Sequence, residues 1–267
     1  SFSDSLQFGQ TTINSNGLTD IFLSRRSSDG SPLWVIGFGG IDSDNGTDVV
    51  IGLDDTAYVT GSFRDAISIG GHSLISAGGS DAFLVKVDSQ GSILWAKNLG
   101  GPGDDNGLGL SLSADGSVLW TGFHSSNATG DAVVLEHVGG LDTFVAKVSV
   151  HGSYAWIRSV GRIGDDSGEA IAADPSGGFY VASDVASESS SDLFLRRYDQ
   201  NGSLSWDENV GGASSDTATS IVADSSGLYV AGSFEGTATF EDNLLTSQGS
   251  SDAYLAKYTS SGSLAWA

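Results

Sequence analysis

The stretch Asp81-Ala-Phe-Leu-Val-Lys86, followed by the turn Gly91-Ser92 and then by Trp95, decides the fold of this chain. The same succession occurs five times: an acidic residue, an apolar segment, a basic residue, a Gly-Ser turn and a tryptophan. The tryptophans that mark the copies are separated by 61, 61, 50 and 60 residues: Trp34, Trp95, Trp156, Trp206 and Trp266. A period of this size is typical of stacked repeat architectures.

Each repeat also contains two further predicted strands between successive tryptophans, so that a unit has four strands. Asp-Gly and Ser-Gly turns join the strands as antiparallel meanders. The third unit has lost about ten residues, which indicates a shorter loop, because insertions and deletions concentrate in connections. The predicted strand pairs are 48–53 with 57–63, 108–113 with 118–123, 170–173 with 179–183, and 219–223 with 228–234.

The predicted fold is all-β, a β-propeller of four-stranded antiparallel blades in a single domain over residues 1–267. Segments such as Phe83-Leu-Val-Lys-Val87 are apolar on both faces, so both faces of each sheet must be covered. Radial stacking of similar sheets covers them. The predicted units are a partial blade at 1–38 and four complete blades at 48–99, 107–160, 168–210 and 217–267.

The repeat resembles the bacterial SBBP β-propeller repeat over essentially the whole chain. Gly100 to Asn106, Asp224 to Gly232 and Ser251 to Trp266 carry the resemblance best. This family consists of repeats in large bacterial extracellular proteins that share no activity. The resemblance therefore implies an architecture and a secreted or cell-surface location, and it implies no particular chemistry.

Composition narrows the range of partners. The chain has 33 acidic and 11 basic residues and a net charge of −22, which repels nucleic acid and anionic lipid. It contains no cysteine, so it has no disulfide bonds. It also contains no methionine, and we expect it to be a processed or excerpted chain. No apolar run approaches the roughly 18 residues that a membrane-spanning helix needs, so membrane insertion is not expected.

Acidic loops after the tryptophan strand are the clearest candidate metal sites. The first loop has the best alternation of oxygen ligands for calcium, and the residues expected to bind it are Asp42, Asp44, Asn45 and Asp48. Weaker versions of the loop occur at 103–106, 164–167 and 215–216. The alternative is that these side chains cap and turn the backbone through local hydrogen bonds. Calcium is the one cofactor that the sequence suggests.

The residues that recur in every repeat are expected to be structural. The basic residue of each copy is predicted to pair with an acidic turn while its aliphatic stem covers an aromatic neighbour; a ring of anion sites is the alternative. The five tryptophans are predicted to pack between blades, although sugar-stacking platforms would also use them. Trp120 takes the place of the tyrosines of other units and is likewise assigned to packing. The basic residues are Arg25, Lys86, Lys147, Arg197 and Lys257.

No catalytic residues are predicted, because no nucleophile elbow, phosphate-binding loop or zinc-protease motif is present. The preferred function is a non-enzymatic structural or adhesive module that contacts other proteins or polysaccharide at the cell surface. A lectin-like propeller is the alternative, and a polysaccharide hydrolase follows it. A lectin should keep its contact residues in several units, whereas the variable stretches share only turn and strand character: 64–80, 125–141, 183–191 and 235–251.

The two ends of the chain fall in the same interval of the repeat. Ser1-Phe2 aligns with the end of a second strand, and Ala267 follows the tryptophan of a fourth strand. A closed five-bladed ring would then lack one pair of inner strands. The expectation is that the chain is an excerpt of a longer polypeptide, or that residues or chains outside this sequence complete the ring, with self-assembly as a consequence.

Overall fold

The computed structural model describes residues 1–186 and 190–267, and these residues form short, mostly antiparallel β-strands. The all-β class is confirmed. Residues 187–189, inside the variable stretch 183–191, lie outside the described residues. Within the described part of the chain, no helix is long and apolar enough to cross a membrane.

The strands follow one another from end to end of the chain. In order they are β1 (Ser5–Phe8), β2 (Thr11–Asn14), β3 (Ile21–Arg26), β4 (Pro32–Phe38), β5 (Asn45–Ile51), β6 (Ala57–Ile69), β7 (His72–Val87), β8 (Ile93–Leu99), β9 (Asp105–Leu112), β10 (Val118–His124), β11 (Ala128–Gly130), β12 (Val133–Leu135), β13 (Asp142–Val148), β14 (Tyr154–Ser159), β15 (Asp166–Ala173), β16 (Phe179–Ala186), β17 (Ser191–Tyr198), β18 (Leu204–Gly212), β19 (Asp216–Asp224), β20 (Gly227–Phe234), β21 (Thr237–Phe240), β22 (Asn243–Thr246), β23 (Asp252–Thr259) and β24 (Leu264–Trp266).

Four meanders of four strands carry the repeats, in the orders β5-β6-β7-β8, β9-β10-β13-β14, β15-β16-β17-β18 and β19-β20-β23-β24. The strands β3 and β4 pair as a two-stranded sheet that corresponds to the last two strands of a repeat. In all five repeats the basic residue of the third strand pairs with the tryptophan of the fourth, and the register shifts just after it. The five tryptophans therefore occupy the same register position in their strand pairs, Trp34 in a two-stranded sheet and the others in meanders of four strands.

The chain forms two compact units, Ser1–Gly107 with His124–Leu135, and Leu108–Phe123 with Glu136–Ala267. In the first unit, Phe63, Phe83 and Val85 lie in one buried apolar cluster. In the second unit, Tyr180, Leu195 and Tyr258 lie in the largest cluster. These side chains come from the β-branched and aromatic positions of the strands, which favour a pleated and covered surface.

A short hairpin lies between the second and third strands of most repeats, and the sequence analysis did not predict it. The hairpins are β1–β2, β11–β12, β21–β22 and the far ends of β6 and β7. Each of three hairpins pairs with the glycine that ends the fourth strand of the preceding repeat: Ser68 with Gly39, Thr129 with Gly100, and Thr239 with Gly211. The hairpins thus join consecutive repeats by backbone hydrogen bonds.

Candidate functional site

The four residues predicted to bind calcium lie in different surroundings. Asp44 is fully buried, and its carboxylate accepts hydrogen bonds from the backbone N–H groups of Gly40 (2.7 Å) and Arg64 (3.1 Å). A hydrogen bond between the carboxyl groups of Asp42 and Asp65 raises the pKa of Asp42.

The other two predicted ligands belong to strand β5. Asn45 accepts a hydrogen bond from the Ser1 hydroxyl at 2.9 Å, and Asp48 accepts one from the N–H of Val49 at 2.7 Å. The structure therefore places Asp44 in the interior and Asn45 and Asp48 on a strand. Calcium binding by the four residues stays a prediction.

Asp44 belongs to a series of buried aspartates that open the first strand of each repeat. Each accepts a hydrogen bond from the backbone N–H four residues earlier and holds the turn after the fourth strand. Burial raises the pKa of each carboxyl, in Asp105 to about 6. This repetition indicates a structural role for the series Asp44, Asp105, Asp166 and Asp216.

The recurring basic residues make the contacts that the sequence predicts. Four of the five form ion pairs with turn aspartates, at N–O distances of 3.4 Å for Arg25, 3.5 Å for Lys86, 2.8 Å for Lys147 and 2.8 Å for Arg197. Lys257 instead donates to the Tyr229 hydroxyl at 2.8 Å. The predicted pairing with acidic turns is confirmed for four of the five residues, and Lys257 is the exception.

The tryptophans pack at the junctions between repeats. The indole N–H of Trp34 donates to the carbonyl of Ser89 at 2.9 Å, and that of Trp206 donates to the carbonyl of Ser260 at 3.1 Å. Both carbonyls belong to the Gly-Ser turn of the next repeat, whose glycine lies against the ring. Trp120 is fully buried beside Phe144, with ring centroids 5.0 Å apart. These contacts agree with packing roles.

The repeat that contains β15 to β18 departs from the others between its second and third strands. Strands β16 and β17 pair as far as Ala186 and Ser191, and four residues separate these two. In three other repeats the second glycine after the tryptophan strand lies against a hairpin backbone, and a Cβ atom at Gly212 would come within 2.0 Å of the Thr237 carbonyl oxygen. Arg162 occupies the position that corresponds to Gly212.

Arg162 lines a pocket of about 390 Å³ together with Arg158 and Arg196. We call this the arginine pocket; it lies wholly within the second unit. Arg158 donates to the carbonyl oxygens of Gly202 (2.7 Å) and Asn201 (2.9 Å). These bonds fix its guanidinium at the rim of the pocket.

The other two guanidinium groups are held by the ring of Phe194. Their central carbon atoms lie 4.0 Å (Arg162) and 4.6 Å (Arg196) from its centroid. Arg162 also pairs with Asp207 at 3.1 Å, and Arg196, only 3% exposed, donates to the Val160 carbonyl at 3.0 Å. Each guanidinium has five N–H donors, so the exposed Arg158 and Arg162 keep donors for a ligand, whereas Arg196 is buried and adds its charge to the pocket.

The arginine pocket concentrates positive charge on a strongly negative chain. Three of the seven arginines line it, and Asp207 is the one acidic residue among the lining residues. Arginine binds carboxylate and phosphate groups through paired hydrogen bonds, which lysine does not reproduce. The arrangement is therefore suited to an anionic group.

This pocket is not among the sites predicted from the sequence, although an alignment of the repeats contains a signal for it. Arg162 stands where three other repeats have glycine, and Arg196 stands where the other repeats have small or aliphatic residues. Both substitutions fall in the one repeat that is about ten residues shorter. A residue that differs from its repeat equivalents is a better functional candidate than one that recurs.

Comparison with known proteins gives limited information. No family model matches the chain. The regulatory protein FlaEY of Caulobacter vibrioides is similar to it, with 28% identity over 152 residues, which is 54% of this chain and 15% of that protein. The chain thus corresponds to a small part of that relative.

Proposed function

We propose that this chain is a non-enzymatic adhesive module of a secreted or cell-surface protein, with its repeats arranged as blades of a β-propeller. Its ligand is an acidic polysaccharide, whose carboxylate groups bind at the arginine pocket. Calcium at Asp42, Asp44, Asn45 and Asp48 belongs to the proposal as a stabilising ion.

Contacts between consecutive repeats support the propeller arrangement. The third and fourth strands have the same register in all five repeats, and tryptophans, turns and hairpins join each repeat to its neighbour within each unit. Such nearest-neighbour contacts are typical of architectures that stack like units. The resemblance to the SBBP repeat agrees with this arrangement and with an extracellular location.

The observation that carries the ligand assignment is the arginine pocket itself. Arg162 and Arg196 replace residues that are glycine, small or aliphatic in the other repeats, whereas packing residues recur in every repeat. The surrounding chain has a net charge of −22, so the pocket is a local site for an anion and not part of a basic surface. Guanidinium groups that are already oriented lose little entropy when they bind a carboxylate.

The geometry favours a single pocket over the lectin-like alternative. A lectin with one sugar platform in each blade would use the tryptophan faces, but the rings of Trp34, Trp156 and Trp206 lie against glycines of the following turns. A polysaccharide hydrolase would need a pair of carboxyl groups around its substrate, and the arginine pocket has one acidic lining residue, Asp207. Neither alternative accounts for the three arginines.

Binding to polygalacturonate in EDTA tests the proposal. We expect saturable binding at low salt, and we expect the double variant Arg158→Gln with Arg162→Gln to lose at least about tenfold in affinity, since two charge-assisted contacts disappear. Isothermal titration calorimetry measures both. Dextran, a neutral polymer, should not bind.

The matched control is Arg64→Gln, which removes an exposed arginine that pairs with Asp104 in the first unit. This variant should bind polygalacturonate like the wild-type protein. Equal affinity of the double variant and the wild-type protein would reject the arginine pocket as the ligand site.

A further inference from the structure

Strand β3 in the first unit has one edge that is open to a further strand. Its other edge pairs with β4, and within the described chain these two strands form a sheet of their own. Just before β3, Asp20 exchanges backbone hydrogen bonds with Phe2, at 2.8 Å in both directions. Because the hydrogen-bonding groups of a strand alternate from side to side, the N–H and C=O groups of Phe22 and Ser24 face the same open edge.

Side chains beside this edge are more exposed than their equivalents in other repeats. Phe22 is 37% exposed, whereas the aromatic residues at its position are buried: Phe83, Phe144, Phe194 and Tyr254. Val49, on the first strand of the next repeat, is 48% exposed, whereas its equivalents are buried: Leu110, Ile171 and Ile221. Two openings of about 180 Å³ and 230 Å³ lie along β3. We call this surface, lined by Phe22, Leu23, Trp34, Val49 and Ile51, the β3 groove.

The complete repeats show what covers the equivalent surface. There the second strand pairs with the third, and its aromatic residue lies opposite the basic residue: Tyr58 opposite Lys86, Tyr180 opposite Arg197 and Tyr229 opposite Lys257. The tyrosine ring lies 4.6–5.8 Å from the charged group. Its centroid lies 5.8–6.2 Å from that of the tryptophan on the fourth strand. The cover is therefore a strand that carries an aromatic residue.

The β3 groove offers the same contacts to a ring from another strand. Arg25 lies opposite Trp34 in the register of the other repeats, and both line the opening of about 180 Å³. Asp55 also lines this opening and pairs with Arg25 at 3.4 Å. A tyrosine hydroxyl can donate to this carboxylate, as the Tyr180 hydroxyl donates to Asp174 at 3.2 Å. The opening therefore favours a tyrosine.

The described strands of this chain cannot supply that residue, because every second strand of a complete repeat is already paired on both sides in its meander. We propose that the β3 groove docks an extended strand of a separate protein, which pairs with β3 in antiparallel orientation. The strand places a tyrosine opposite Arg25. Three residues later it has a small residue opposite Phe22, as Gly232 lies opposite Tyr254. This partner is additional to the polysaccharide of the proposed function.

Binding of a synthetic peptide tests the docking site. The peptide Gly-Leu-Tyr-Val-Ala-Gly, amidated at its carboxyl end, reproduces residues 227–232 and would end beside Ser1. We expect fluorescence anisotropy to show saturable binding to the wild-type protein, with at least a tenfold loss of affinity when alanine replaces the tyrosine. Hydrogen exchange should slow at the amides of Phe22 and Ser24, because the peptide pairs with them.

Variants of the protein give the matched comparison. Ser24→Pro removes an N–H group from the open edge, and proline is compatible with an edge strand. Arg25→Gln removes the cation beside the tyrosine ring. Each variant should weaken peptide binding at least about fivefold. Arg26→Gln, whose guanidinium lies 4.4 Å from the centroid of Phe8 in the wild-type protein, should bind the peptide normally.

Three results would overturn the proposal. The first is equal affinity for the tyrosine and alanine peptides, and the second is unchanged exchange at Phe22 and Ser24 in the saturated complex. The third is a dimer of the wild-type protein in sedimentation that Ser24→Pro abolishes, since a second copy would then occupy the groove. All variants should bind polygalacturonate normally, so failure here is distinguishable from failure of the proposed function.

Discussion

Asp184 is the residue at which burial most clearly opposes ionisation. It lies on β16, where burial and then the negative charge of Glu169 raise its pKa from 3.8 to about 7. Because the folded state holds this proton more tightly than the unfolded state, the stability contributed by the protonated form is lost as the pH rises from about 4 to about 7. We expect Asp184→Asn to raise the free energy of unfolding at pH 8 by about 1–2 kcal/mol.

Urea unfolding of the wild-type protein and the variant at pH 4 and pH 8 measures this effect. The two proteins should differ less at pH 4 than at pH 8. Asp224→Asn is the control, because the pKa of Asp224 is shifted in the opposite direction: hydrogen bonds from Ser226 lower it. Replacing this carboxylate should not stabilise the protein. An Asp184→Asn variant with unchanged stability at both pH values would contradict the assignment.

At the level of elements, the junction between repeats depends on tryptophans that pack on the next turn. Trp206 is half-buried, donates to Ser260 at 3.1 Å and lies against Gly262, whereas Trp266 is 42% exposed. We expect Trp206→Ala to lower the free energy of unfolding by about 2–3 kcal/mol, somewhat less than a fully buried tryptophan. Trp266→Ala is the control and should cost less than half as much in urea unfolding. Equal losses would contradict a special role for the junction.

The hairpin contact gives a second test at this level. A methyl group at Gly212 would meet the Thr237 carbonyl oxygen at 2.0 Å, so Gly212→Ala must displace β21. We expect a loss of about 1–3 kcal/mol in the free energy of unfolding. The control is Arg162→Ala at the corresponding position of the preceding repeat, where the chain already has a large side chain. It should lose less than about 1 kcal/mol, measured by thermal and urea unfolding. A harmless Gly212→Ala would show that the hairpin does not constrain this glycine.

The sequence predicts contacts within one repeat better than contacts between repeats. The four strands and the equivalence of Trp34 and Trp206 follow from the period, because each strand carries its own apolar pattern. The hairpins were not predicted because their strands have only three or four residues, too few for a clear alternation of apolar and polar side chains. The hairpins pair with residues of the preceding repeat that are far away in the sequence. A local sequence pattern therefore cannot predict this pairing.

The candidate sites were harder to predict, for a related physical reason. Alternating oxygens at 42–48 predict calcium ligands, and the sequence does not show that Asp44 is buried and accepts the Gly40 N–H. The arginine pocket is assembled from separate strands, and each of its residues alone has an ordinary alternative role. Comparing repeats position by position would have singled out Arg162 and Arg196.

For the whole molecule, the dominant physical fact is a net charge of −22 on 267 residues. Many aspartates outside the buried series are exposed, so their mutual repulsion acts through solvent and destabilises the compact state. Salt shortens the range of that repulsion, from roughly 30 Å at 0.01 M to roughly 3 Å at 1 M. We expect NaCl to raise the melting temperature of the protein at pH 7 in EDTA.

The size and specificity of the salt effect separate charge screening from cation binding. Sodium chloride and choline chloride at equal ionic strength should give equal shifts of several degrees, because screening does not depend on the identity of the cation. Near pH 4.1, the isoelectric point of the sequence, the shift should largely disappear, since the net charge is then close to zero. Differential scanning calorimetry at both pH values measures this. If sodium raised the melting temperature more than choline did at pH 7, cations would bind at defined sites. If salt left the melting temperature unchanged, repulsion between carboxylates would contribute little to the free energy of unfolding.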